Sequence, residues 1–135
     1  MYRKSSAQVS VYEVVSPFGR GLDPKNRWVR LAEVIPWDEI ETDYATKFRR
    51  GGAPAKPSRL AFGSLLIQKR LNTSDAETVA QITENPYLQY FIGLTEFQTA
   101  PPFNPSLMSR FRQRIKTEII HQMDERARMV FTARS

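Results

Sequence analysis

The segment from Ser58 to Leu71 constrains the fold more than any other part of the chain, because its apolar residues fall on nearly every side of a helix. These residues are Leu60, Phe62, Leu65, Leu66, Ile67 and Leu71. A surface helix carries a single apolar stripe, whereas a helix that is apolar all round has to be covered by its neighbours. The sequence therefore predicts an all-α bundle of about six or seven helices in total, with this one at the centre.

Two helices are predicted before the central one. Asp23-Pro24 is a helix start signal, and Pro36 ends that helix because proline lacks an N–H and disfavours a helical residue before it. The apolar face of the first helix is predicted to consist of Trp28, Leu31, Ala32 and Ile35. A second helix is predicted from Trp37 to about Phe48, with acidic residues in its first turn, where the helix dipole favours anions.

Two more helices are predicted after the central one. Ser74 is a good N-cap, and Glu77 three residues later completes a capping box. The inward face of this helix is predicted to hold Ala76, Val79, Ala80 and Ile82. Pro86 then starts a short helix, which Gly93 ends, and residues 95–103 are predicted to be a loop.

The remaining segments divide the chain into an arm and one domain. Residues 1–21 are predicted to form a flexible N-terminal arm, since they contain one weak strand pattern with no second strand to pair with it. Residues 22–135 are predicted to form one helical domain, and 135 residues suffice to bury a core.

Several classes of function are excluded or unsupported. The chain has no cysteine and one histidine, His121, so thiolate metal sites and Cys nucleophiles are excluded. The acids Asp38, Glu39, Glu41 and Asp43 point in divergent directions on a helix and predict no metal site. No phosphate-binding GxxxxGK loop occurs. No cofactor and no small-molecule substrate are predicted, and the lack of a long apolar run or signal peptide predicts a cytoplasmic protein without membrane contact.

The positive charge is concentrated in two short windows. Residues 47–59 contain five cations and no acid, and residues 104–117 contain four cations and no acid, whereas the whole chain has a net charge of +6. The rest of the chain is therefore net acidic. Such concentration is typical of a protein that binds a polyanion, although a short basic run can also be a solvated face.

The second basic window predicts a DNA-reading helix. Asn104 and Pro105 are helix start signals, and the apolar residues Leu107, Phe111, Ile115 and Ile119 predict one stripe on a helix running from Pro105 to Arg128 or beyond. Ser109, Arg110 and Gln113 are the candidates for contacts to base edges in a major groove. Arg112, Arg114 and Lys116 are the candidates for phosphate contacts. The alternative is an ordinary amphipathic helix with a cationic face.

The first basic window supplies the remaining candidates for DNA binding, which are Arg49, Arg50, Lys56 and Arg59. The segment from Arg49 to Pro57 is rich in Gly and Pro, and an arginine-rich arm of this kind can lie along phosphates or in a minor groove. It can equally be a solubilising loop.

The order of several blocks resembles a known family. The blocks are residues 22–24 (LDP), 28–38 (WVRLAEVIPWD), 52–60 (GAPAKPSRL), 74–85 (SDAETVAQITEN), 86–94 (PYLQYFIGL) and 102–115 (PFNPSLMSRFRQRI). Together they resemble the N-terminal domain of bacterial insertion-sequence transposases of the IS5-like type, over residues 22 to about 120. The resemblance implies binding to double-stranded DNA at the terminal inverted repeats of a transposon. In that family a separate RNase H-like domain downstream carries the Asp-Asp-Glu metal site that cuts and joins DNA.

This sequence stops at Ser135, where the catalytic domain of that family is expected to begin. No catalytic residue and no enzymatic activity are therefore predicted for the chain, which is either an excised domain or a truncated reading frame that inhibits transposition. By analogy with helix-turn-helix proteins, the 74–84 helix is predicted to brace the DNA-reading helix. The rival hypothesis is a helical interaction or homodimerisation module. Its candidate surface is Ile115, Ile119, Ile120, Met123, Ala127 and Val130.

Overall fold

A computed structural model of the protein describes residues 21–47 and 56–133. These two stretches contain seven α-helices and no strand, which confirms the all-α prediction. The helices are α1 (Arg27–Val34), α2 (Trp37–Ala45), α3 (Ser58–Leu71), α4 (Asp75–Glu84), α5 (Pro86–Phe91), α6 (Leu107–Arg114) and α7 (Thr117–Thr132). The predicted arm, apart from Gly21, lies outside the described residues, and so do Arg49 and Arg50.

Helix α3 is the centre of the bundle, as its all-round apolar pattern predicts. Every residue from Leu60 to Ile67 is buried, and α3 packs against α2, α4, α6 and α7. Its Gly63 allows a close crossing, because a Cβ atom there would lie 3.1 Å from Cγ2 of Ile92. The core therefore surrounds one helix, which positions α2, α4, α6 and α7, whereas α1 packs against α5 and α7.

Helices α1 and α2 form one flank of the bundle. Asp23 accepts a backbone hydrogen bond from Asn26 in a turn, and Asn26 then caps α1 by accepting from the backbone N–H of Trp28 at 2.7 Å. The helix consequently starts a few residues later than the Asp-Pro signal. Its four predicted inward residues are all buried, which confirms that face. The indole of Trp37 donates to the carbonyl of Ala32 at 2.9 Å and so fixes the angle between the two helices.

The inward face of α4 matches the prediction at Val79 and Ile82, whereas Ala80 is only partly buried. Ser74 accepts from the backbone N–H of Glu77 at 3.0 Å, which confirms the N-cap, but the Glu77 carboxylate accepts from Gln81 and does not complete the predicted capping box. Val79 and Ile82 are buried, but Ala76 is exposed and Thr78 is buried in its place. The Thr78 hydroxyl lies 2.7 Å from the backbone oxygen of Ser74 and 2.7 Å from the hydroxyl of Thr73. A buried threonine is stable here because its polar group is hydrogen-bonded.

A single glutamine fixes the loop between α5 and α6. Gln89 is fully buried, and its amide nitrogen lies within hydrogen-bonding distance of the carbonyl oxygens of Ile82, Thr83 and Gln98. Its side-chain oxygen accepts from the backbone N–H of Gln98 at 2.8 Å. Gly93 follows α5 with a φ of +94°, so the predicted helix end is confirmed. The loop returns the chain to α3 at the start of α6.

The prediction of one long helix after Pro105 is wrong, because the chain bends at Ile115. Helix α6 ends at Arg114, Ile115 is extended with φ −121° and ψ 124°, and α7 begins at Thr117. An uninterrupted helix from Pro105 to Arg128 would be about 36 Å long, and one half would project beyond the core. The bend lets both helices pack against α3. The four-residue spacing of the predicted stripe also drifts around a helix, because four residues advance by about 400°.

Helix α7 closes the bundle. Ile120, Met123 and Ala127 are buried on the side that faces α3 and α1. Asp124 forms an ion pair with Arg70 of α3, at 3.0 Å between Oδ1 and Nη1. The side chains that the rival hypothesis would use for dimerisation are therefore packed within the protein's own core or against it.

Candidate nucleic-acid interface

One side of helix α6 packs against the bundle. The Oδ1 atom of Asn104 accepts from the backbone N–H of Ser106 at 2.9 Å, in a turn just before the helix. Met108 and Phe111 are buried, and the Phe111 ring lies 5.3 Å from that of Phe103 in an edge-on contact. The main neighbour of α6 is α3, which braces it. The predicted bracing helix, α4, instead reaches α6 through a side-chain ion pair.

The opposite side of α6 is exposed. Ser109, Arg110 and Gln113 all lie there, as the helical period predicts. Within the described part of the chain, the side chains of Arg110 and Gln113 have no hydrogen bond or ion pair, and Ser109 donates only to the backbone oxygen of Ser106 at 3.3 Å. Lys116 is exposed in the link to α7. This surface of Ser109, Arg110, Gln113 and Lys116 is called the α6 face below.

Arg112 is held on one flank of α6. Its two terminal nitrogens donate to the two carboxylate oxygens of Asp75 at 2.8 and 3.0 Å, and Nη1 also donates to Oε1 of Gln68 at 3.1 Å. These hydrogen bonds hold the pKa of Asp75 below its usual value and raise that of Arg112. Gln68 donates in turn to Asp75 at 2.8 Å. Arg112 therefore joins α6 to both α3 and α4.

Arg114 is held on the other flank. It is half-buried beside the Tyr44 hydroxyl; burial raises the pKa of Tyr44, and the neighbouring Arg114 opposes that rise. The carbonyl of Arg114 accepts from Nζ of Lys47 at 3.3 Å, which satisfies one carbonyl at the end of α6. Lys47 also lies 3.7 Å from Asp43. The end of α2 and the end of α6 are thus tied together.

The Arg59 side chain binds other parts of the fold. Its Nε and Nη2 atoms donate to the carbonyls of Phe91 and Tyr90 at 2.9 and 3.1 Å, and its guanidinium lies 4.5 Å from the centre of the Trp37 ring. Burial lowers the pKa of Arg59. Lys56, three residues earlier, is exposed. Lys56 and Arg59 therefore lie in opposite environments although they are only three residues apart.

Lys69 is an exposed cation near α6 that neither basic window includes. A cavity of about 400 Å³ opens between α3 and the α6–α7 link, and Lys69 lines it together with Gln68, Asn72, Arg112 and Thr117. Lys69 stands outside both basic windows, so charge density along the chain gave no signal for it. Its exposed position near the end of α3, beside the basic helix, is visible only once α6 is placed against α3.

Two further classes of site are absent from the described residues. Across residues 21–47 and 56–133, no three histidine, aspartate or glutamate side chains are close enough together to hold a metal ion. No described helix is long and apolar enough to cross a membrane.

The fold and site define an all-α domain that holds a cationic helix against a central apolar helix and leaves the polar side of the cationic helix exposed. The family described as "Transposase domain (DUF772)" matches residues 17–114, and the chain belongs to that family. The match ends at Arg114, the last residue of α6.

One curated relative is described as "Uncharacterized protein ORF8 in nfe locus" of Rhizobium meliloti. It is 35% identical over 102 residues, which cover 76% of this chain and 49% of the relative, so the aligned part is about half the relative's length. No solved structure matches the chain.

Proposed function

We propose that this domain binds double-stranded DNA through the α6 face, in the recognition of transposon ends. The observation that carries the proposal is the division of α6 into two sides. Met108 and Phe111 fix the helix to the core, while Arg110 and Gln113 are exposed and make no hydrogen bond or ion pair with the described residues. Membership of a transposase-domain family supplies the biological context, because DNA is the substrate of transposition.

The exposed residue types suit the major groove. Arginine can donate two hydrogen bonds to guanine and glutamine can pair with adenine through two hydrogen bonds, so Arg110 and Gln113 are the proposed base readers. Ser109 is short enough to let α6 approach the bases. Lys116 and Lys56 are the proposed phosphate contacts in the described chain, and Arg49 and Arg50 remain predicted ones.

The proposed DNA-binding unit consists of α6 and the helix that braces it. We propose that α3 takes the bracing role, because α6 packs against it directly. The domain itself is proposed to bind DNA without cutting it, since phosphodiester transfer uses carboxylates that hold divalent metal ions. Binding to chromosomal DNA would agree with the predicted cytoplasmic location in a bacterium.

The proposal is tested by titrating labelled random duplex DNA with the protein at several salt concentrations and then selecting preferred sequences from a random library. We expect affinity to fall steeply with salt. In a plot of the logarithm of the binding constant against the logarithm of the salt concentration, each phosphate contact should contribute about −0.9 to the slope. Changing both Arg110 and Gln113 to alanine should abolish sequence preference. Arg128→Ala is the control. Arg128 is an exposed arginine on α7, outside the α6 face, and its Nη1 lies 3.5 Å from the Glu125 carboxylate. Absence of binding at low salt would refute the proposal.

A second candidate function is a contact with another protein or with a second copy of this chain. Met129 is 71% exposed on α7, and Val34 is 42% exposed at the end of α1. Arg126 donates to the carbonyl of Val34, so α1 and α7 meet near these residues. Sedimentation of the wild type and of Met129→Lys tests this candidate. A dimer that the substitution dissociates would support it, and a monomer at all concentrations would exclude self-association.

A further inference from the structure

We infer that Arg112 is a positioning residue, and that its ion pair with Asp75 prevents its guanidinium from binding DNA phosphates. Only part of the positive charge on α6 is then available to phosphates. This inference rests on the proposed function and refines it, because it changes which residues of the basic helix contact the ligand. The sequence predicted Arg112 to be a phosphate contact; its observed partners point to a different role.

The contacts of Arg112 use the geometry that a phosphate would otherwise use. Asp75 accepts from two nitrogens of the guanidinium in a parallel arrangement, at 2.8 and 3.0 Å. A phosphate binds arginine through the same pair of donors, so the carboxylate competes directly with DNA for them. The third contact, to Oε1 of Gln68 at 3.1 Å, further orients the side chain toward α3.

The pair also fixes the rotation of α6 about its own axis. Arg112 and Arg114 lie on opposite flanks of the buried Met108–Phe111 side, and each contacts a different neighbouring helix. Arg112 reaches Asp75 of α4, whereas the Arg114 carbonyl accepts from Lys47 after α2. Burial of Met108 and Phe111 turns Arg110 and Gln113 outward, and the two attachments on opposite flanks resist rolling of the helix from that orientation.

The electrostatic consequence is measurable. A carboxylate in contact with Arg112 cancels most of its charge as seen by a distant phosphate. On the α6 face and its flank, Arg110 and Lys116 remain the available cations, while Arg112 contributes little to non-specific affinity. Removing the Asp75 carboxylate would release the guanidinium and add a phosphate contact that does not depend on sequence.

The experiment compares wild type, Asp75→Ala, Glu77→Ala and Arg112→Ala for binding to a random duplex as a function of salt. Glu77 is the matched control, because it lies in the same turn of α4 and its carboxylate accepts only from Gln81, at 2.8 Å, among the described residues. Losing Glu77 removes one negative charge without releasing an arginine. Circular dichroism establishes that each variant is folded, and Asp75→Asn replaces Asp75→Ala if the latter is not.

We expect Asp75→Ala to steepen the salt dependence by about 0.9 in the log–log slope, which is roughly an additional 3.5-fold loss of affinity over a fourfold rise in salt. Glu77→Ala and Arg112→Ala should keep the wild-type slope. Adding Arg112→Ala to Asp75→Ala should return the slope to the wild-type value.

Three results would overturn the inference while leaving DNA binding intact. They are an unchanged slope in Asp75→Ala, an equal increase in Glu77→Ala, and a shallower slope in Arg112→Ala alone. Failure of the wild-type protein to bind any duplex at low salt would instead refute the proposed function, and the inference with it.

Discussion

The two basic windows have similar composition, yet the fold uses their cations in different ways. In the first window Arg59 lies against Trp37 and donates to two backbone carbonyls, so its charge stabilises the junction of α3 and α5. In the second window Arg110 is exposed and has no partner among the described residues. A run of cations in a sequence therefore identifies charged residues, and only their packing shows which of them can reach a ligand.

The largest expected effect comes from removing Arg59, the cation of this comparison that packs inside the fold. Arg59→Ala should lower the free energy of unfolding by about 2–3 kcal/mol, because the half-buried carbonyls of Tyr90 and Phe91 lose their donor. Urea unfolding measures the change. Lys56→Ala, three residues away and exposed, is the control and should change stability by less than about 0.5 kcal/mol. Equal effects of the two substitutions would show that Arg59 is not a structural residue.

An intermediate effect tests the pair on the flank of α6. The pKa of Asp75 is lowered, chiefly by its hydrogen bonds from Arg112. A carboxyl group with a lowered folded-state pKa adds stability above its unfolded pKa of about 3.9 and loses that contribution as the pH falls through the folded-state pKa. Because the pair is partly exposed, the free energy of unfolding of the wild type should exceed that of Asp75→Ala by less than about 1 kcal/mol at pH 7.

The pH dependence provides the check on that prediction. Urea unfolding from pH 7 down to about pH 2 should show the difference between wild type and Asp75→Ala shrinking toward zero. In an Arg112→Ala background the same difference should vary less with pH, since the hydrogen bonds that lower the pKa are gone. A difference that stays constant over the whole range would contradict the assigned role of the pair.

The smallest expected effect on stability belongs to the α6 face. Arg110→Ala and Gln113→Ala should each change the free energy of unfolding by less than about 0.5 kcal/mol, because exposed side chains without partners contribute little to folding. The same substitutions should weaken specific DNA binding by about 1–3 kcal/mol each. Thermal melts and binding titrations on the same samples would separate the two. A large loss of stability would mean that these side chains are structural.

Much of the fold could be predicted because its signals are local. The all-round apolar pattern predicts α3, Ser74 marks the start of α4 through its capping side chain, and Gly93 follows α5 with a positive φ. The bend at Ile115 was missed because its apolar side chain was assigned to a continuous stripe, although a four-residue spacing drifts around a helix. The packing of both halves against α3 favours the bend.

The candidate site was less predictable because its partners are distant in sequence. Asp75 lies 37 residues from Arg112, and the carbonyls that Arg59 contacts lie 31 and 32 residues away. Helical periodicity did predict that Arg110 and Gln113 face outward, since that property depends on α6 alone. Which arginines are held by carboxylates or carbonyls depends on the neighbouring helices, which periodicity does not identify.

The Gln89 contacts have a consequence for the order of folding. They join residues only six to nine positions apart, from Ile82 to Gln98. Contacts between residues close in sequence require little loop closure and can form early, whereas the contacts of Arg59 and Arg112 span 31 or more positions. We therefore expect residues 82–98 to form a local nucleus, so that Gln89→Ala slows refolding more than it speeds unfolding, while Arg59→Ala acts mainly on the unfolding rate.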